Sequence, residues 1–109
     1  MMIIPVQPIP SQSFQVQLNN QACTINLYQT NFGLFFDLYV AGSLVIAGVV
    51  CENLNRIVRS LYLGFSGDFV FVDTQGASDP VYTGLGSRFQ LAYLSADEVA
   101  ALNLPAGVE

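Results

Sequence analysis

In one segment after another, the apolar side chains of this 109-residue chain fall on every second position. Phe14, Val16 and Leu18 alternate with Gln15 and Gln17, and Cys23, Ile25 and Leu27 repeat the pattern after Asn19, Asn20 and Gln21. A strand sends successive side chains to opposite faces, so a period of two gives one dry face and one wet face. The two segments predict a β-hairpin. Asn31, Phe32 and Gly33 turn the chain into residues 34–40, where Leu34, Phe36, Leu38 and Val40 oppose Phe35, Asp37 and Tyr39, and both faces look largely buried. Ala41 and Gly42 then reverse it into residues 44–51. Further strands are expected at residues 69–73 and along Phe89, Leu91 and Tyr93.

The other segments lack this period. Residues 1–13 form a Pro-rich extended arm whose Ile3, Ile4, Val6 and Ile9 argue for an edge strand or a strap between subunits. Residues 54–67 are a connection packed by Ile57, Val58, Leu61, Tyr62 and Leu63, with a helix possible over residues 54–63. Residues 74–88, rich in Gly, Ser, Asp and Pro, predict an ordered loop. Ser95-Ala96-Asp97-Glu98 has the capping-box form, so a short helix is expected over residues 95–103, stopped by Pro105 and Gly107. The expected architecture is a single all-β domain over residues 1–109. It is a small barrel or sandwich of about six strands, with an N-terminal arm and a C-terminal helix.

Charge limits what the surface can be. Three basic and eight acidic residues make up 10% of the chain, against about 25% in soluble proteins. A folded monomer of this length exposes roughly 5,900 Å², so eleven charges are thin cover. Contiguous apolar patches buried against partner proteins, including further copies of the chain, are therefore expected. An uncharged coat is the competing explanation, and the amides at Gln7, Gln12, Gln15, Gln17, Asn19, Asn20 and Gln21 support it for the N-terminal third. With three arginines and no lysine there is no basic stripe to neutralise phosphates, which argues against direct nucleic-acid binding. Residues 34–51 are apolar enough to suggest a membrane span. Asp37, Gly42, Gly48 and the alternation favour a strand pair instead. Pro5, Pro8 and Pro10 interrupt the N-terminal residues, which do not look like a signal peptide. Cys23 and Cys51 sit in apolar strand patterns and are expected to be buried reduced thiols.

No catalytic, cofactor or metal site is expected. The chain has no histidine, which removes Ser-His-Asp and Cys-His arrangements and the commonest zinc ligand. Gly64-Phe65-Ser66-Gly67-Asp68 lacks the final glycine of a nucleophile elbow, and Ser66 has no base. Gly84-Leu85-Gly86-Ser87 lacks the third glycine of a nucleotide fingerprint, so its glycines are expected to allow positive φ in a tight loop. Asp68, Asp73 and Asp79 could converge on a calcium ion or form a carboxylate pair, but carboxylates capping their own turns are the commoner case. Arg88 needs a carboxylate, and Asp79 or Asp68 is expected to supply it, unless the guanidinium reaches a neighbouring subunit. A carrier of small apolar ligands is the alternative function, with Phe35, Phe71 and Tyr93 lining a barrel cavity.

Several segments together resemble one known family. They are Ile4-Pro5, Ile9-Pro10-Ser11-Gln12, Gly33-Leu34-Phe35-Phe36-Asp37-Leu38, Gly48-Val49-Val50-Cys51, Tyr62-Leu63 and Gly67-Asp68-Phe69-Val70-Phe71-Val72-Asp73. The most specific piece is Asp79-Pro80-Val81-Tyr82-Thr83-Gly84-Leu85-Gly86-Ser87-Arg88-Phe89, followed by Leu91 and Tyr93-Leu94. The chain so described is similar to the baseplate plug family of contractile-tailed phages, from about residue 4 to about residue 94. The resemblance implies a structural virion protein of the tail baseplate, made in the host cytoplasm and in contact with tube, hub or spike proteins. It brings no catalytic residues with it, and another small tail-tube component is the alternative reading of the same resemblance. Ile4, Pro5, Ile9 and Pro10 on the arm, Tyr62 in the long connection, and Asp79, Tyr82 and Arg88 in the loop are the residues expected to meet partners.

Overall fold

The computed structural model describes residues 2–58 and 67–106, with side chains to residue 101. Of the helix expected at residues 54–63, residues 54–58 are not helical, since Leu54 has φ of 63° and the Leu54 and Ile57 amides bond to β6; residues 59–63, Tyr62 among them, and most of the 64–68 motif lie outside the described residues. Seven strands form among them: β1 (Met2–Ile4), β2 (Ser11–Leu18), β3 (Gln21–Thr30), β4 (Gly33–Val40), β5 (Ser43–Val50), β6 (Asp68–Asp73) and β7 (Phe89–Leu94). They make two antiparallel sheets, ordered β2-β3-β4-β5 and β1-β7-β6. Neither sheet closes on itself, so of the two expected architectures the chain adopts the sandwich. The six alternating segments are all strands, and the seventh is the start of the arm, paired with β7 through Ile4 opposite Leu91.

The four-stranded sheet is a meander because its turns have the right residues. Asn19 and Asn20 take φ of 51° and 62°, and Ala41 and Gly42 take 52° and 83°. Two successive positive φ angles give the turn whose twist matches paired strands, and asparagine and glycine enter that region most cheaply. The registers that follow, Leu18 opposite Gln21 and Val40 opposite Ser43, put Phe14, Ile25, Leu38 and Ile46 on one face.

That face packs on the inner face of the second sheet. Phe36 meets Phe69 with ring centroids 5.1 Å apart, and Phe69 meets Tyr93 edge-on at 5.7 Å. Ile25, Leu27, Phe36 and Leu38 from one sheet and Phe69, Phe71 and Leu91 from the other are almost wholly buried in a single cluster. Cys23 and Cys51 are buried free thiols in it, and burial pushes both above the usual thiol range.

The second sheet is dry on its other side too. Val70, Ala92 and Leu94 are buried there against Val99 of helix α1 (Ala96–Ala106). This third layer explains why Phe69-Val70-Phe71-Val72 is apolar at every position. The capping box is present: Glu98 N–H donates to Ser95 Oγ at 3.3 Å, and Ser95 N–H donates to Glu98 Oε1 at 2.9 Å. The helix runs to Ala106, past the expected stop at Pro105. A proline this late removes only one bond from a final turn that is frayed in any case.

Asp68 organises the free side of β6. Its Oδ1 accepts from the backbone N–H groups of Ile57 (3.1 Å), Val58 (2.7 Å) and Phe69 (2.7 Å), while Leu54 and Ile57 N–H donate to Phe71 and Phe69 carbonyls. With its side chain 2% exposed, removing this acceptor takes a buried partner from three amides, of which Ile57 N–H keeps the Phe69 carbonyl. Asp68→Ala should cost about 3 kcal/mol or more in urea denaturation. Asp68→Asn keeps the accepting oxygen and should cost less than half as much.

Candidate protein–protein interface

The loop most typical of the resembling family proves to be an internal clasp. Arg88 donates from Nε to Asp73 Oδ1 and from an Nη to Asp73 Oδ2, both at 2.8 Å, and its guanidinium lies 5.0 Å from the Phe89 ring centroid. The arginine's partner is thus Asp73, correcting the expectation of Asp79 or Asp68. The carboxylate is in place because Gln75 and Ser78 N–H also donate to it. Asp79 Oδ1 accepts from Asn53 N–H at 3.0 Å, and Asn53 Oδ1 accepts from Asp73 N–H at 2.9 Å, so one network joins the loop to the end of β6. Asp68 sits at the opposite end of that strand, roughly 16 Å away at strand rise. The three aspartates therefore do not converge, and each caps backbone.

Between Asp79 and Arg88 the chain makes a 3-10 turn (Tyr82–Gly84) that drives Leu85 into the core at 2% exposure. The glycines on either side let it seat. A Cβ on Gly84 would stand 2.7 Å from the Phe89 ring, and one on Gly86 would stand 2.5 Å from the Val6 carbonyl. Gly86 also has φ of +83°. Close backbone approach therefore requires one glycine, and approach with positive φ the other. Tyr82 is half-buried against the core, and its N–H donates to Gln29 Oε1 at 3.0 Å.

On the arm, Ile4 is buried in the chain's own core, while Pro5, Ile9 and Pro10 are exposed. Val6 is buried under Gly86, and Gln12 holds the arm by donating from Nε2 to Gln7 O and accepting from Gln7 N–H. Of the proposed contact residues, Asp79 and Arg88 are joined through Asn53 and Asp73, while Gln29 links Tyr82 to the arm by accepting from Tyr82 N–H and donating its own N–H to Pro10 O.

A larger surface lies on the four-stranded sheet. On the outward face of the four-stranded sheet, Tyr28, Phe35 and Val50 form one cross-strand row and Tyr39 pairs with Leu44. Tyr28 stacks on Phe35 at 5.9 Å, Leu44 is 56% exposed, and Phe32 at the β3–β4 turn is 87% exposed. Asp37 is the one charged residue in the first 51. Its Oδ1 accepts from Tyr28 Oη (2.9 Å) and Gly48 N–H (2.8 Å), which damps its charge. Burial and, after it, this bond to Asp37 push the Tyr28 phenol up. The sequence signal was that single charge in 51 residues. Phe35 points outward while Phe71 and Tyr93 are inside the sandwich, so the three aromatics do not line one cavity.

The clasp has a pH signature. The bidentate Arg88 pairing, assisted by the Ser78 and Gln75 amides, holds the Asp73 carboxyl well below the usual carboxylate range. An unfolded aspartate takes up its proton near pH 4, while folded Asp73 resists to lower pH. The stabilisation is therefore complete above about pH 4 and lost as pH falls below it. Urea midpoints measured from pH 7 down to pH 2 should drop more steeply in the parent chain than in Arg88→Ala. Parallel curves would mean that the pair adds nothing.

No curated protein sequence matches the chain. The family model described as cyanophage baseplate Pam3 plug gp18 matches residues 1–97, which takes in both sheets, the clasp and the start of the helix. The chain belongs to the baseplate plug family.

Proposed function

We propose that this chain is a structural component of a phage tail baseplate, a plug that works through contacts with tube, hub or spike proteins and catalyses nothing. The family match over residues 1–97 is the observation that carries the reading. Its surface is consistent with that role. A sheet face bearing Tyr28, Phe35, Tyr39, Leu44 and Val50 around one damped carboxylate has the aromatic enrichment and charge depletion of an interface centre. Pro5, Ile9 and Pro10 on the arm and Asp79 beside the clasp are polar-rim or flanking contacts in this reading, and Tyr82 and Arg88 support the loop from within. No helix among the described residues is long and apolar enough to cross a membrane. The arrangement gives no support to a ligand carrier, since its aromatics are either packed together or turned outward.

Mass spectrometry of purified virions should find the chain at a fixed stoichiometry with the other baseplate proteins, and its absence from particles would overturn the reading. The contact face can be tested separately. Phe32 serves no packing role in the chain, so Phe32→Asp should leave its stability within about 0.5 kcal/mol. The same substitution should weaken incorporation into virions roughly tenfold, the effect of losing about 1.4 kcal/mol of binding. Undiminished incorporation would remove this face from the interface.

A further inference from the structure

The two sheets have four outer edges, and three are closed to further strand pairing. Strand β1 is three residues long. The free side of β6 is occupied by the segment from Asn53 to Ile57, through the Leu54 and Ile57 amides and the Asn53 side chain. Strand β5 shifts register twice along β4, with Gly48 at φ +67° in the irregular stretch, and such bulges twist an edge away from a newcomer.

Strand β2 has none of these protections. It pairs with β3 over eight residues, Ser11 opposite Tyr28 through Leu18 opposite Gln21, without a shift. Its sequence, Ser-Gln-Ser-Phe-Gln-Val-Gln-Leu, contains no charge, no proline and no glycine. Its bonding parity follows from the turn. Leu18 and Gln21 flank a two-residue hairpin and so exchange bonds, and alternation then directs the even-numbered residues of β2 to β3. Gln29 N–H donating to Pro10 O at 2.8 Å obeys the same parity. The backbone groups of Ser13, Gln15 and Gln17 therefore face outward, away from β3.

We propose that this edge pairs with the same edge of a second copy of the chain, the two β2 strands running antiparallel about a two-fold axis near Gln15. The inference stands apart from the baseplate reading, because it concerns the chain alone. Four observations point to a second copy as the occupant. The edge is its own complement: with Gln15 opposite Gln15, Ser13 faces Gln17 and Phe14 faces Val16, so polar residues meet on one side of the joined sheet and apolar ones on the other. About six ladder bonds form. No charge opposes its like, although the chain carries a net charge of -5. Phe14 and Val16, half-buried at the border of the core, gain a covering neighbour. Among the described edges, only β2 is long and regular enough to match β2.

The test uses the intact chain at rising concentration in sedimentation equilibrium, with amide hydrogen exchange alongside. The expected result is a monomer–dimer equilibrium with Kd in roughly the micromolar range, as a small interface gives. Exchange at Ser13, Gln15 and Gln17 should slow as the dimer forms, while the even-numbered amides of β2 stay unchanged. Gln15→Pro removes an outward donor without touching the β3 ladder and should weaken dimerisation at least about tenfold. Gln15→Lys, which places like charges across the axis, should do the same with an undisturbed thermal melt. A chain that stays monomeric at all concentrations, as it would if the edge served another protein's strand, overturns the proposal. So does a dimer indifferent to both substitutions.

Discussion

The two sheets share no ladder of hydrogen bonds, so side-chain packing between their inner faces holds the molecule together. Phe36 of one sheet against Phe69 of the other is the centre of that layer, and the remaining elements either enlarge it or seal its margins. This is why the loop at residues 79–88 matters structurally. It carries Leu85 into the layer, passes its backbone tight against Phe89 and the Val6 carbonyl, and ends on a guanidinium bound to the end of β6. A loop doing this cannot tolerate side chains at Gly84 or Gly86, nor easily lose the Arg88–Asp73 bond.

The polar groups inside the molecule follow one economy. Among the described residues every buried side-chain nitrogen or oxygen has a hydrogen-bond partner. Asp68, Asp73, Asp79 and Asp37 all accept from backbone amides at places where regular pairing stops: the free side of β6, the turn after it, the segment at Asn53 and the irregularity at Gly48. Carboxylates are used here as backbone acceptors where the sheet supplies none.

The outer surfaces divide by chemistry. The β2 half of the four-stranded sheet presents serine and glutamine to solvent, and the β4–β5 half presents aromatic and aliphatic side chains around Asp37. The low charge thus takes two forms on one sheet, an amide coat on one half and uncharged aromatic and aliphatic side chains on the other. The amide-rich half leaves a strand edge open, and the aromatic half leaves a face open. A protein seated among neighbours has use for both.

Strand positions, two turn types and the helix start were legible in the sequence, because each is fixed within a few residues. Alternation sets the face of Ile25 or Leu38, Asn19-Asn20 sets a hairpin, and Ser95 with Glu98 sets a cap. Choices that join distant residues were not legible. Nothing local told Arg88 to take Asp73 over Asp79 or Asp68, because that depends on β6 and β7 being antiparallel neighbours with Asp73 opposite Phe89. Alternation marked Phe35 and Tyr39 as one face without saying what, if anything, covers it, and only the layer order shows that this chain leaves it uncovered. The sequence by itself therefore determined which residues are strands and which side of each is dry. The tertiary structure decided which dry sides meet, which edges stay open and which carboxylate holds the arginine, because those depend on free energies of contact between segments tens of residues apart.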